Sequence, residues 1–435
     1  MLVTEPEEWI EIDPRSNFRS EIMDTKRSVK QGCSRVQELA QRMAQDLSAF
    51  RRELHQIPEL GNDLPLTQRR LLDELEGMEL EITTGKSLSS VTAVLRGKAE
   101  PAGGVKPVVL LRGDMDALPV TEENNLHFKS AHPGLMHACG HDLHVAGLLG
   151  AVRILHELRD ELAGDVVFMF QPGEEGPGGA EPMIEEGVLE AAGRRVDAAF
   201  GLHVFSARHR RGIWFGRPGP QMAAADELHV RFVGAGGHGS QPHLAKDPIP
   251  ALCEAVTALQ TMVTRTFDVF DPVVVTVGKI SGGTRDNIIP REAAFEATIR
   301  SFSAESRMKI RERGVRVVEG VAAVHGLQAD INYTQLYPVL VNDGETYSLA
   351  REAIIDLFGE DRYAEMAHPD PGAEDFSFIA NEVPSAYLFL SACAKDDPDT
   401  AGANHSTVAV FDDAILPDAA SWLAEVAIRR LNRGI

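Results

Sequence analysis

Met136-His137-Ala138-Cys139-Gly140-His141-Asp142-Leu143-His144 brings one thiol, three imidazoles and a carboxylate into a single short run. Directly after it, Val145, Leu148, Leu149, Val152 and Leu155 recur at three- and four-residue spacing, which predicts a helix with one buried face. Asp142 is the expected N-cap of that helix. Cys139 and His141 then fall in the loop ahead of a rigid element, with Gly140 allowing the sharp turn between them. Thiolate and imidazole suit borderline-soft divalent cations. Taken alone, the segment reads equally as a buried cysteine beside loop histidines, so the rest of the chain has to decide.

Outward from this helix the pattern alternates. Helices are predicted from about Ser34 to Pro58 and over 66–75, with strands at Val91–Arg96 and Val108–Arg112. After the organising helix come a strand at Val166–Gln171, a helix near 180–189 and a strand at Ala198–Val204. Near-continuous apolar strand runs alternating with helices predict an α/β domain with a mostly parallel central sheet flanked by helices. From about residue 220 the order changes to strand, helix, strand, strand, helix, strand, ending near 336. That is the order of a ferredoxin-like α+β unit. After Pro338 the first style returns, with a helix at 346–357, a strand at 386–390 and a last helix at 416–431. The expectation is an N-terminal extension over 1–44, a discontinuous catalytic domain over 45–219 and 337–435, and an inserted domain over 220–336.

The totals exclude several classes. At 435 residues the chain is too long for one core. A formal net charge of −22 argues against nucleic acid or an anionic membrane as partner. No apolar run approaches the roughly 20 residues of a membrane span. Residues 1–14 are acidic and lack the basic and apolar regions of a signal peptide. Four scattered cysteines (Cys33, Cys139, Cys253, Cys393) form no disulfide framework, so a reducing cytoplasm is the expected home.

Several reactive residues fall just past predicted strand ends, where open α/β sheets bind ligands. They are Asp114 and Asp116, the adjacent pair Glu174-Glu175 between glycines, and His203; His405 lies in a loop far downstream. Each has a bland alternative: a strand cap, a solvated acidic loop, a satisfied core histidine. Together with Cys139 and His141 they supply enough N, S and O donors for two divalent ions and a free carboxylate base.

The chain resembles the peptidase M20 amidohydrolases, in the subfamily of hippurate hydrolases, auxin–amino acid conjugate hydrolases and bacterial N-acyl-amino acid amidohydrolases. The matching runs are Arg51-Arg52-Glu53-Leu54-His55 with Pro58-Glu59-Leu60, then Arg112-Gly113-Asp114-Met115-Asp116-Ala117-Leu118-Pro119, and the 136–142 run itself. They continue with Gln171-Pro172-Gly173-Glu174-Glu175-Gly176, Gly201-Leu202-His203 and Gly236-Gly237-His238-Gly239 with Pro242-His243. The last are Asp286-Asn287-Ile288-Ile289-Pro290 and Gly372-Ala373-Glu374-Asp375-Phe376-Ser377.

By that resemblance Cys139, His141, Glu175, His203 and His405 are metal ligands for two divalent ions (Zn2+ or Mn2+, with Co2+ or Ni2+ as alternatives). Glu174 is the catalytic base, and Asp116 is a carboxylate that orients a ligand. The resemblance further implies a homodimer formed through the inserted domain, with His238 reaching the partner's site and Asn287 and Glu374 contacting substrate. The implied reaction is cleavage of N-acyl or N-aroyl amino acids. A dipeptidase or a deacetylase of N-acetyl-diaminopimelate type would use the same site. A metal-binding protein without catalysis has no reason to keep Glu174, and a structural zinc site is closed and four-coordinate. The chain departs from the family pattern in residues 1–44, in lacking an acidic cluster after Leu60, and in Ala373, where serine is frequent.

Overall fold

The computed structural model of the protein describes residues 32–101 and 104–433. A helix over 32–42 (α1) leads into α2 (Ala44–Gln56) and α3 (Pro65–Leu75). There follow β1 (Glu81–Thr84), β2 (Val91–Arg96), β3 (Val108–Asp114), α4 (His141–Glu157), β4 (Asp165–Gln171), α5 (Ala180–Glu185), β5 (Ala198–Phe205), β6 (Trp214–Gly216) and β7 (Gly219–Met222). The middle of the chain holds β8 (Ala224–Val233), β9 (Gly237–His238), α6 (Pro248–Thr266), β10 (Val273–Gly282), β11 (Ile288–Ile289), β12 (Glu292–Ser301), α7 (Ala304–Val324) and β13 (Gln328–Gln335). The chain ends with β14 (Leu340–Asn342), α8 (Gly344–Phe358), β15 (Tyr363–Glu365), α9 (Phe376–Glu382), β16 (Ser385–Ser391) and α10 (Leu416–Asn432).

Eight strands form one large sheet in the order β1-β2-β4-β3-β5-β16-β6-β15. Its middle is parallel, with β4, β3, β5 and β16 running the same way, as the apolar runs predicted. The sheet as a whole is mixed, because β1–β2, β2–β4 and β16–β6 pair antiparallel. The connection over 85–90 is too short for a crossover, so β1 and β2 can only turn back on each other. Alternate residues of the central strands supply two cores. Leu111, Phe168, Phe200 and Leu388 face α4, α8 and α10, while Leu110, Val167, Ala199 and Phe389 belong to the opposite core with Met183 and Ile379. In α1, Cys33, Val36, Leu39 and Ala40 join the first of these cores, so the expected extension is packed from residue 32 onward. Residues 1–31 lie outside the described residues.

A second sheet, β10-β12-β8-β13, is antiparallel throughout and is built wholly from the middle of the chain. Leu228, Val230 and Phe232 of β8 are buried while His229 and Arg231 are exposed, the alternation of a sheet covered on one face. The covered face packs on α6 and α7 around Leu259, Phe295 and Ile310. Asp247 and Ser303 cap these helices by accepting from Ile249 N–H and Ser306 N–H at 3.0 Å, contacts that contribute ~1 kcal/mol each. Among the described residues no helix is long and apolar enough to cross a membrane.

Candidate metal centre and active site

The parallel strands β3, β4 and β5 all end at one edge of the large sheet, and α4 begins beside it. Gly140, not Asp142, occupies the N-cap of α4, at φ +80°. A β-carbon there would stand 2.5 Å from Val204 and 2.9 Å from Phe411, so only glycine allows the Cys139–His141 turn to lie this close to β5. Asp142 fails as a cap because its carboxylate is already engaged. Its Oδ2 is 2.7 Å from Arg51 Nε and 2.7 Å from His55 Nδ1, all three residues being buried. His141 is consequently the first residue of the helix rather than a loop residue.

Five expected donors converge at this edge. Cys139, His141 and His203 form one set and Cys139, Glu175 and His405 another, with the candidate ligand atoms of each set within 4.8 Å of one another. His405 Nε2 lies 3.1 Å from Cys139 Sγ and 3.0 Å from Glu175 Oε1. Cys139 Sγ lies 3.6 Å from His203 Nε2. His405 takes a left-handed backbone (φ +68°), which costs about 1–2 kcal/mol in a non-glycine residue. The hydrogen bond from its N–H to Ala138 O at 2.8 Å holds it there.

The electrostatics suit cations. Burial and the neighbouring His144 and His141 hold His203 well below the usual imidazole range, so it is a neutral donor. Hydrogen bonds to Cys139 and Glu175 push His405 up to about 10, and burial pushes the Cys139 thiol up. His141 is fully buried, yet neither ring nitrogen makes a hydrogen bond. Its Nδ1 stands 3.5 Å from Asp116, and its Nε2 3.9 Å from Glu174. A buried imidazole whose ring nitrogens lack hydrogen-bond partners is costly, and a divalent ion on this donor set would relieve that cost. The residues fit such ions.

Glu174 is 6% exposed and lies against this cage. Burial, Glu374, Glu175 and Asp375 together raise its pKa well above the usual carboxylate range, and His141 opposes them. Cations in the cage would act in the same sense as His141. Asp116 uses both oxygens to accept from Glu174 N–H (2.9 Å) and Glu175 N–H (3.0 Å), so it sets the backbone of the pair. In the first turn of α4, His144 sits with Nδ1 2.5 Å from Asp114, and its Nε2 accepts from Val204 N–H at 2.8 Å. That bond fixes the strand end carrying His203.

Beneath the cage, Arg112 is fully buried. It donates to Gln171 (2.9 Å), Glu374 (2.8 Å), Asp375 (2.9 Å) and Asp114. Glu374 also accepts from Tyr387 O–H at 2.5 Å and Phe376 N–H at 3.0 Å. Glu374, expected to touch substrate, lines the cavity wall, and both of its oxygens accept hydrogen bonds from the protein. His238 pairs with Ile288 across β9 and β11, and the neighbouring Gly239 N–H donates to Asn287 O at 2.9 Å. His238 and Asn287 are both exposed, and neither lines the cavity.

That cavity, of about 550 Å³, has Cys139, Glu174, Glu175, His203 and His405 on one side, with Phe205 and Met222 beside them. Glu227 and Arg300 of the second sheet and the following Leu336 and Tyr337 form the other side. Arg300 was not singled out from sequence, where it is one arginine among many. Its guanidinium donates only to Thr298 Oγ1 and Ile299 O, with no carboxylate in ion-pair range among the described residues.

Residues 110–429 match the model of peptidase family M20/M25/M40. The chain belongs to that family. This M20 chain is 37% identical over 387 residues to the IAA-amino acid hydrolase ILR1-like 2 of Arabidopsis thaliana, covering 88% of this chain and 84% of that protein. It is 36% identical to the N-acetyldiaminopimelate deacetylase of Brevibacillus brevis, covering 88% and 96% of the two. Its fold is similar to that of the YXEP protein of Bacillus subtilis, a dinuclear metal-binding peptidase of the M20 family, with a TM-score of 0.75 at 32% identity. That match covers 91% of the M20 chain and 100% of the YXEP chain.

Proposed function

We propose that the protein is a metal-dependent amidohydrolase that cleaves N-acyl or N-aroyl amino acids to a carboxylic acid and a free amino acid. The observation that carries this reading is a cavity lined by four of the five donors, Cys139, Glu175, His203 and His405, by the spare Glu174 and by Arg300, with His141 buried behind Cys139 in the same cluster. Cys139, His141, Glu175, His203 and His405 would hold two divalent cations; the thiolate and imidazoles favour Zn2+, and Mn2+, Co2+ or Ni2+ are the alternatives. When bound, such ions supply Lewis-acid charge relief for the amide oxygen and a more acidic water.

Glu174 takes the proton of the attacking water. As the C–N bond breaks, it returns that proton to the departing nitrogen. Arg300 receives the substrate's α-carboxylate, and Phe205 and Met222 line the space for an apolar acyl group. Arg300→Ala should therefore raise KM by about 10- to 100-fold, the scale of a hydrogen bond to a charged group, with kcat little changed. Steady-state kinetics on one N-acyl amino acid would check it. A doubled KM or less would remove Arg300 from substrate binding.

Residues 220–336 read as an inserted ferredoxin-like lid domain, a reading supported by the strand order and separate core of the second sheet. The same domain forms a homodimer that carries His238 and Asn287 toward a partner's cavity. An active monomer in light scattering would rule this out. The acidic chain works in the cytoplasm, away from nucleic acid and membranes.

The function itself is tested on enzyme stripped by a chelator and reloaded with defined metals. Free amine release is then measured from N-acetyl, N-benzoyl and indole-acetyl amino acids. Turnover should vanish on stripping and return with about two ions per chain; metal-independent turnover would overturn the proposal. Release from N-acetyl-diaminopimelate alone would favour the deacetylase reading, which the Brevibacillus relative also supports.

A further inference from the structure

The chain passes between the two sheets twice, once into β8 and once out of β13, and the two crossings are bonded to each other. Leu336 N–H donates to Ala225 O at 3.1 Å, and Ala225 N–H donates to Tyr337 O at 2.9 Å. On the large-sheet side, Ala223 N–H donates to the carbonyls of Asp370 (3.0 Å) and Gly372 (2.9 Å). Tyr337 thus sits on the junction itself. Its hydroxyl donates to the backbone carbonyl of Glu174 at 2.7 Å. Its ring stands edge-on to Phe378, with centroids 6.2 Å apart, and beside Gly178, where a β-carbon would come within 3.5 Å of the ring. Gly178 has φ +90°, so the tight loop over 173–179 leaves a slot that the tyrosine fills.

The peptide units around Glu174 are therefore held from two directions. Asp116, at the end of the rigid sheet, takes the N–H groups of Glu174 and Glu175. Tyr337, on the crossing, takes the carbonyl of Glu174. Burial, Asp375, Glu174 and Glu374 push the phenol up, so the hydroxyl keeps the proton this bond requires. Any turn of the second sheet about the crossings must either drag the Glu174 loop along or break this bond.

We propose that Tyr337 is a positioning residue that ties the orientation of the second sheet to the placement of Glu174. The inference rests on the reading of Glu174 as the base only for its effect on rate; the mechanical tie stands on the contacts alone.

The test uses the full-length chain and Tyr337→Phe, which removes the hydroxyl and keeps the ring. Hydrogen–deuterium exchange on the metal-free protein should show faster exchange in the 173–179 loop, with α4 and β3 unchanged. In the metal-loaded enzyme kcat should fall about tenfold with KM unaltered, the scale of one lost hydrogen bond at a reacting group. Phe378→Leu keeps the hydroxyl while loosening its packing, and both readouts should stay at wild-type values. Leu336→Pro removes a bond between the crossings without touching the hydroxyl, and it should also speed exchange in the 173–179 loop. Wild-type loop exchange in Tyr337→Phe would overturn the proposal whatever the activity. So would an equal effect from Phe378→Leu, or no effect from Leu336→Pro, since either confines Tyr337 to local packing. If Glu174→Gln kept full turnover, the base reading would fail while the exchange result still decided the tie.

Discussion

Glu174→Gln should lower kcat by about 10³-fold, within the range of a positioned acid–base group, while the chain still binds two metal ions. The size of the loss follows from the neighbours, none of which is free to substitute. Glu175 lies 3.0 Å from His405 within a donor set. Glu374 is held by Arg112, Tyr387 O–H and Phe376 N–H. Asp375 accepts from Arg112, Gln171 and the N–H groups of Gly179 and Ala180. Glutamine keeps the shape of the side chain and cannot accept the proton. Turnover measured alongside metal content decides the matter, and a loss smaller than tenfold would remove Glu174 from proton transfer.

Arg112→Met should destabilise the fold by about 3–5 kcal/mol, the cost of stranding buried charge. The guanidinium is fully buried among Asp114, Glu374 and Asp375. Burial already pushes Glu374 up to about 7, against the pull of Arg112. Without the cation, three carboxylates share a dry site and must take up protons or move apart. The midpoint of urea unfolding at neutral pH reports this directly. A shift worth less than about 1 kcal/mol would mean that the cluster relaxes freely, against the tight packing around it.

Much of this was legible in the sequence, for identifiable reasons. The central strands β2, β3, β4, β5 and β16 announce themselves as apolar runs because both faces are covered. The donors stand at their ends in short motifs rich in unusual residue types. The strands β1, β6 and β15 were not foreseen: they have three or four residues each, too few for a periodic signal, and the antiparallel run of β2 against β4 was not legible either. Asp142 satisfies the pattern of a helix cap, yet Arg51 and His55, far upstream in the chain, recruit it. Glu374 looks like a site residue by its motif, and only the location of Arg112 and Tyr387 shows that its oxygens are taken. Arg300 and Tyr337 carry no local signature at all. Their importance comes from the second sheet meeting the first, which no window of sequence contains.

The place of β16 in the large sheet bears on how the protein is made. It lies between β5 and β6, though both of those emerge from the ribosome long before it. At roughly 5–20 residues per second, a nascent chain spends on the order of ten seconds or more building the entire second sheet while the apolar flank of Ala198–Phe205 stays unpaired. Such an open edge invites pairing with other chains, so chaperone demand during synthesis should concentrate on that interval.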